Sequence, residues 1–558
     1  MHACATGVWP AIARIDMETQ MLGLMQRRNL LISSVITHAA RHHGAGEIVS
    51  RRDDGRLDRT TYAALERRAR RLTVVLRALG IRPGDRVGTL AMNSDRHLEL
   101  YYAIPGIGAV CNTINPRLAP EDIAYIAGHA EDRIIFVDPG FLPIVAAIAP
   151  ALREMLRAVV VLAPPDAMAA TALPEGIALL CYETLMAGTA EEPDWPDFDE
   201  NTAAGLCYTS GTTGRPKGVL YSHRSEVLHA MVENFADVFA LRATDRMLPA
   251  VPMFHANAWG IPYSAPMAGT ALILPGRQLD PASLLTLLNE ERATASAGVP
   301  TVWLGVLNHL RAVGGGFQTL GRILSGGAAF PRALMADYAA LGVHVHHAWG
   351  MTESSPLATW NAAKPATLAM DAQARLDQQA TQGRTVFGCD VAALNDAGEE
   401  VPWDGKTQGN LMFRGHWVAS AYFRQPETSV GDQGWFPTGD VGVLDPEGFV
   451  VLTDRTKDLI KSGGEWISSI ALENIAIGHP GVAEAAAIAI PDPKWSERPL
   501  LIVVPREGCT VTPEEIRAFY QGKVPSWSMP DRVVIAESLP HGATGKILKT
   551  ELRRIYAG

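Results

Sequence analysis

The sequence predicts an α/β protein: a large N-terminal domain of layered sheets and helices, followed by a small α+β C-terminal domain. Three observations predict it. Short apolar runs at residues 87–92, 133–137, 159–162, 205–208 and 271–274 read as buried strands. Helical spacing recurs between them, and strands alternating with helices argue for largely parallel sheets. Beyond a charged stretch at residues 453–458 the pattern changes to strand candidates at 485–490 and 500–504 and a helix start at Thr512-Pro513-Glu514-Glu515. That start combines a capping box with proline at the first helical position.

The elements follow in order. Tyr62, Leu65, Ala69, Leu72, Leu76 and Leu79 keep helical spacing, and Gly80 closes the helix. The run Arg67, Arg68, Arg70, Arg71 reads as its solvated face. A second helix over residues 98–104 is expected to end at Pro105. Residues 164–196 are rich in Ala, Pro and Glu and read as a surface connection. Residues 440–445 and 449–454 read as a hairpin joined by Pro446-Glu447-Gly448.

Bulk properties narrow the function. The 558 residues suffice for more than one domain, and 49 basic against 59 acidic residues give a net charge of −10. Nucleic acid is excluded as the main partner, since phosphate backbones bind basic surfaces. The six cysteines are scattered without a CxxC pair, which fits a reducing cytoplasm rather than a disulfide framework or zinc site. The first 20 residues lack the apolar core of a signal peptide, and no stretch reaches the roughly 18 uninterrupted apolar residues of a membrane span.

One stretch organises the chemistry. Tyr208-Thr209-Ser210-Gly211-Thr212-Thr213-Gly214-Arg215-Pro216-Lys217-Gly218 follows a strand candidate. Its glycines let backbone N–H groups turn towards an anion, and its hydroxyls and Lys217 add donors for phosphate oxygens. It is not a Walker A loop, which needs Ser or Thr after Gly-Lys, whereas Val219 follows Lys217-Gly218 here. Further stretches carry candidate chemistry: Phe254-His255-Ala256-Asn257-Ala258-Trp259-Gly260, Ser325-Gly326-Gly327-Ala328-Ala329-Phe330, Trp349-Gly350-Met351-Thr352-Glu353, Trp435-Phe436-Pro437-Thr438-Gly439-Asp440, Asp454-Arg455-Thr456-Lys457-Asp458, Lys461-Ser462-Gly463-Gly464-Glu465-Trp466 and Gly542-Ala543-Thr544-Gly545-Lys546. His344, His346 and His347 lack a Cys or carboxylate partner and read as structural, not metal ligands.

In this order these stretches resemble the motifs of the adenylate-forming superfamily: acyl-CoA synthetases, luciferases and peptide-synthetase adenylation domains (the ANL fold). The resemblance covers nearly the whole chain. His-Ala-Trp-Gly-Met-Thr-Glu at 347–353 and Gly-Gly-Glu-Trp-Ile-Ser-Ser at 463–469 are most similar to bacterial medium-chain fatty-acid and methylmercaptopropionate CoA ligases. The resemblance implies an ATP-dependent acid–CoA ligase that passes through an acyl-AMP, with ATP, Mg²⁺ and coenzyme A as co-substrates and cofactor. A short- or medium-chain fatty or similar apolar acid is its expected substrate, with a cinnamate-type aryl acid or methylmercaptopropionate as the alternative and a carrier-loading adenylation enzyme behind these; a cytoplasmic homodimer is its expected state.

Roles are implied residue by residue. Thr209, Ser210, Gly211, Thr212, Thr213, Gly214 and Lys217 would hold phosphates. Gly326, Gly327 and Ala328 would pack on adenine, beside Trp349 (where many relatives have tyrosine), Gly350 and Met351. Thr352 would bind phosphate, Glu353 would hold Mg²⁺, and Asp440 and Arg455 would hold the ribose. Lys546 would bridge carboxylate and α-phosphate. His255 is similar to the residue between acyl pocket and CoA tunnel, with Trp259 (one turn on if the segment is helical), Val299, Trp303 and Gly327 bounding the pocket. The division is expected at 1–456 and 457–558, the small mobile domain rotating about Lys457 to bring Lys461, Gly463 and Gly464 to the CoA arm.

Overall fold

The computed structural model describes residues 23–168, 171–209, 215–425, 427–431, 433–455, 457–462, 465–542 and 546–556. Two large sheets dominate the N-terminal part. A seven-stranded sheet runs in the order Ala178–Cys181, Ala158–Val161, Ile134–Val137, Arg86–Leu90, Val110–Thr113, Ala203–Thr209, Lys217–Ser222. All its neighbours are parallel except the last pair, a hairpin whose connection carries the candidate phosphate loop. A nine-stranded sheet has six consecutive parallel strands, four of which, Arg246–Pro249, Ala295–Ala297, Arg322–Ser325 and His344–Gly350, lie at its centre. Their apolar runs are buried on both faces, as parallel strands covered by helices require.

This topology positions the site. Parallel strands end on one edge of a sheet, and ligands of open α/β sheets bind beyond that edge. The four strands therefore deliver residues 252–255, 298–299, 326–328 and 351–353 to one end.

A four-stranded antiparallel sheet, Cys389–Leu394, Gly409–Gly415, Phe436–Leu444 and Val450–Arg455, follows. Its last two strands are the predicted hairpin, turned at Gly448 with φ +84°. After residue 455 the chain enters a separate small sheet built on the long pair Val482–Asp492 and Ser496–Pro505. That sheet has its own apolar clusters, including Ile460, Leu472, Val503 and Tyr520. The capping box is present: Thr512 accepts from Glu515 N while the Glu515 carboxylate accepts from Thr512 N.

Three expectations need correction. The run Arg67, Arg68, Arg70, Arg71 of the Tyr62–Ala78 helix is not a solvated face; of these four only Arg67 is exposed. Arg68 pairs with buried Glu99 and with Glu183, Arg70 with Glu66 and Asp194, and Arg71 with Glu192. They clamp residues 183–194, so the stretch 164–196 is more than a surface connection. It contains the edge strand Ala178–Cys181 and a short helix, Tyr182–Ala187, whose Tyr182 is fully buried. Four apolar residues were too few to stand out against the surrounding Pro and Glu. Pro105 does not stop its helix; it sits inside the last turn of Asp95–Gly106. Elsewhere the helix over Tyr62–Ala78 starts on its Thr61 cap and closes before Gly80, at φ +84°, as expected.

Candidate active site

The nucleotide end of the site is a set of paired charges. Asp440 and Arg455 stand opposite each other in the hairpin register, and Arg455 Nε lies 3.0 Å from Asp440 Oδ1. Trp349 Nε1 donates to the other oxygen, Oδ2, at 3.0 Å. Asp440 is thus held flat between a guanidinium and an indole, and burial still raises its pKa above the ordinary value. The Trp349 ring lies 4.5 Å from the Phe413 ring. Gly350 is required by close approach, because a Cβ there would fall 1.6 Å from the Pro356 carbonyl oxygen.

Glu353 is buried, with 4% of its surface exposed. Its carboxylate accepts from the Tyr422 hydroxyl at 2.7 Å, and its carbonyl accepts from Ala419 N. Burial raises its pKa; the Tyr422 hydrogen bond and the charges of Arg455 and Lys217 oppose that rise. The Tyr422 ring in turn lies under Lys217, with Nζ 4.7 Å from the ring centre. Thr352 is buried, and its carbonyl accepts from the Tyr221 hydroxyl at 2.7 Å. Thr209 is paired with Lys217 across the hairpin. The expected phosphate residues Ser210, Gly211, Thr212, Thr213 and Gly214 lie outside the described residues.

Lys546 comes from the small domain and reaches this end. A Cβ added to Gly327 (φ +78°) would lie 3.5 Å from Lys546 Cε and 3.6 Å from Val299 Cγ1. Burial and the neighbouring Arg455 and Lys457 push the Lys546 pKa down to about 8, while Asp440 and Glu353 hold it up. The His255 imidazole is also within its field, and burial together with Lys546 lowers the His255 pKa to about 4. The imidazole is therefore neutral at neutral pH.

Residues 256–260 make a turn of the opposite hand to that expected. Ala256, Asn257, Ala258 and Trp259 have φ of 40°, 53°, 47° and 58°, and Gly260 has 80°. Left-handed backbone costs an L-residue roughly 1–2 kcal/mol each. The turn lays the tip of the Trp259 ring 3.9 Å from the position of a Cβ on Gly326. Gly327, Val299 and His255 thus lie beside Lys546, and Trp259 lies against the neighbouring Gly326. Trp303 does not join them: it is fully buried in a second core with Leu307 and Tyr338, and its Nε1 donates to the Gly298 carbonyl. Ala328 is exposed beside Gly327, and Met351 is half-buried with its N–H on Ser354 Oγ.

The remaining candidates sit in the small domain. The Lys457 carbonyl accepts from Arg553. Lys461 lies on the Ile460–Ser462 strand, its N–H donating to Glu497. Gly463 and Gly464 lie outside the described residues. Of the three histidines, His347 bonds to backbone at Ala380 and Phe330, His346 stacks on Trp360, and the exposed His344 meets the His346 ring. Sequence reasoning missed Tyr422 and Tyr221. Neither lies in a motif; Tyr422 sits in an irregular loop whose course depends on backbone bonds such as Phe423 N to Gly218 O.

Two family models match the chain, AMP-binding enzyme over residues 36–423 and AMP-binding enzyme C-terminal domain over residues 471–546. This chain belongs to the AMP-binding enzyme family. It is 49% identical to the 3-methylmercaptopropionyl-CoA ligase of Ruegeria lacuscaerulensis, over 96% of this chain and 98% of the relative. It is 47% identical to the medium-chain-fatty-acid–CoA ligase of Ectopseudomonas oleovorans, again over 96% and 98%. The crystal structure of the anthranilate CoA ligase AuaEII with anthranoyl-AMP aligns with a TM-score of 0.83, at 23% identity over 95% of this chain and 98% of that one, which shows the shared fold. The protein is an AMP-forming acyl-CoA synthetase that uses ATP and CoA. Among the described residues no helix is long and apolar enough to cross a membrane.

Proposed function

We propose that the enzyme activates a short- or medium-chain apolar carboxylic acid, 3-methylmercaptopropionate among the candidates, in two half-reactions at the site just described. One observation carries the reading: Lys546 of the small domain lodges beside Gly327 and Val299, within the field of Glu353, Asp440 and His255. In the first half-reaction a carboxylate oxygen attacks the α-phosphorus of ATP, the bond to the β-phosphate breaks, and pyrophosphate leaves. Anion approaches anion, so pre-placed positive charge lowers the barrier most. Lys546 supplies that charge at the reacting centre. Lys217, held over Tyr422, serves the outer phosphates together with the Thr209–Gly214 loop. Asp440 and Arg455 take the ribose hydroxyls, and Trp349 with the 326–328 turn bounds the base.

Glu353 fits a Mg²⁺ ligand. It is a buried acid whose ionisation burial opposes, already oriented by Tyr422, so a divalent cation would stabilise its charged form. Among the described residues no group of three or more His, Cys, Asp or Glu could hold a metal ion. A single carboxylate suits Mg²⁺, which binds through one or two carboxylates plus substrate phosphates. When bound, the ion would neutralise charge on the phosphates.

In the second half-reaction the CoA thiolate attacks the acyl carbonyl and AMP leaves. Lys546 has no task there. We take residues 457–558 to turn about Lys457, withdrawing Lys546 and presenting Lys461, Gly463 and Gly464 to the pantetheine arm, a hinge motion of the kind that gates many enzymes. The neutral His255 suits a wall between acid and thiol. An apolar acid is supported by Trp259 and Val299 at the pocket, since none of His255, Trp259, Val299 and Gly327 offers a carboxylate to the ammonium of an amino acid.

The test is to supply purified protein with ATP, Mg²⁺ and a panel of acids, following pyrophosphate and acyl-CoA separately. Acid-dependent formation of both is expected. Pyrophosphate without acyl-CoA for every acid would move the reading to a carrier-loading enzyme. The proposal extends to a cytoplasmic homodimer, which sedimentation and cell fractionation test.

A further inference from the structure

Residues Ala256 to Trp259 are held in a backbone form they disfavour, and buried side chains from other elements hold it. Asn257 is the joint. Its Nδ2 donates to Glu226 Oε1 at 2.9 Å, and its Oδ1 accepts from the Tyr101 hydroxyl at 3.2 Å and the Cys207 thiol at 3.4 Å. The Tyr101 hydroxyl also donates to the Met253 carbonyl. At the far end, a side chain on residue 260 would meet His229 Nδ1 at 2.7 Å and Glu233 Oε2 at 2.9 Å, so only glycine fits. Tyr101, Glu226 and Asn257 are each at most 2% exposed. None of them has a task in the two half-reactions.

We infer that Glu226, Asn257 and Tyr101 are positioning residues for the acyl pocket: they fix the left-handed turn and, through it, the placement of Trp259 and His255. The inference rests on the reading of those two residues as pocket walls. Asparagine is among the few L-residues that visit left-handed backbone routinely, and a carboxyl acceptor in a dry site orients its amide. Without that acceptor the buried amide loses a partner, and Ala-Asn-Ala-Trp is free to take the ordinary right-handed turn. Trp259 would then leave Gly326. Acid binding and selectivity would change, while the nucleotide end, built on Trp349, Asp440 and Arg455, would not.

The experiment measures KM for a homologous series of straight-chain acids, KM for MgATP and Tm in Glu226→Leu, Glu226→Gln and Trp259→Ala. Glu226→Leu is expected to raise the acid KM about tenfold, the effect of one buried hydrogen bond, and to flatten the chain-length preference. KM for MgATP should stay within about twofold on the same reasoning, and Glu226→Gln, which keeps an acceptor oxygen, should restore most of the acid affinity. A fall in Tm with the acid KM unchanged, or equal rises in both KM values, would overturn the inference. Trp259→Ala separates the two layers: if it leaves the acid series unmoved, the pocket reading itself fails; if it shifts the series while Glu226→Leu does not, only the positioning inference fails. Should Glu226→Leu not fold, Asn257→Gly keeps a residue at ease with positive φ and removes the amide. The same acid-selective rise is expected, and an unchanged acid KM overturns the inference.

Discussion

The two ends of the site are built on opposite electrostatic plans. At the nucleotide end the acids and bases each have a partner: Asp440 with Arg455 and Trp349, Glu353 with Tyr422, Lys217 over the Tyr422 ring. At the acyl end the titratable groups are neutral. His255 is pushed down to about 4, and Glu226, behind the turn, is pushed up to about 8. A polyanion needs fixed charge held ready, and an apolar acid needs shape without charge. Lys546 joins the two plans, and burial leaves it only just protonated at neutral pH.

The sharpest way to break this comparison is to remove that joint. Lys546→Ala is expected to lower the adenylation rate by roughly 10²–10³, as for loss of one transition-state donor, with ATP binding retained. Pyrophosphate release against nucleotide binding checks it. Thioester formation from preformed acyl-adenylate should be spared. The free enzyme also makes a pH prediction. The lysine charge is present below its pKa of about 8 and lost above it, so kcat/KM for adenylation should fall as pH rises through about 8. A profile flat to pH 9 would detach Lys546 from the rate.

A smaller break tests the charged end alone. Tyr422→Phe removes the hydroxyl that orients Glu353 but keeps the ring under Lys217. Hydrogen bonds to charged groups are worth about 1.5–3 kcal/mol, so the apparent affinity for Mg²⁺ with ATP should fall about 10- to 100-fold. The acid KM should not move. If both move together, the two ends are not separable as argued.

These two ends were also unequally legible. At the charged end the runs that hold Asp440, Arg455 and Glu353 could be picked out of the sequence, and the structure pairs Asp440 with Arg455; their service to phosphate and ribose belongs to the proposal. Only its supports, Tyr422 and Tyr221, were hidden, since they act through tertiary contacts that no local pattern encodes. At the acyl end the residue names were legible but the backbone was not. Ala256 to Trp259 suggests an ordinary helical turn, and the left-handed form is imposed by Glu226 and Tyr101, distant in sequence. Trp303 was misplaced for a similar reason: an aromatic near the pocket in sequence packs into whichever core has room, here the one with Leu307 and Tyr338. The alternation of strands and helices was plain, whereas the short Ala178–Cys181 edge strand was lost in a Pro- and Glu-rich stretch.

The hinge comes next in size. Lys457→Pro is expected to spare adenylation and slow thioester formation by at least about tenfold, because proline fixes φ near −65° at the residue proposed to rotate. Burst and steady-state measurements of the two half-reactions separate them. Equal loss in both would mean that residues 457–558 do not need to turn.

The smallest effect concerns the neutral end and its stability. Burial raises the Glu226 pKa from its ordinary 4.5 to about 8, with only the Asn257 hydrogen bond opposing. The groups facing it, Tyr101, Cys207, Tyr221, Tyr263 and Glu233, all have raised pKa values and bring no compensating positive charge. The sign follows from linkage: the folded state holds this proton more tightly than the unfolded chain. The contribution is therefore fully present below pH 4.5 and is lost as pH rises towards 8. Glu226→Gln has no proton to lose. Its Tm relative to the parent should rise between pH 5 and pH 8, by an amount on the order of 1–3 °C for a protein of this size. A difference in Tm that does not change with pH would show that Glu226 is ionised in the folded protein, and that the acyl end is less neutral than its geometry requires.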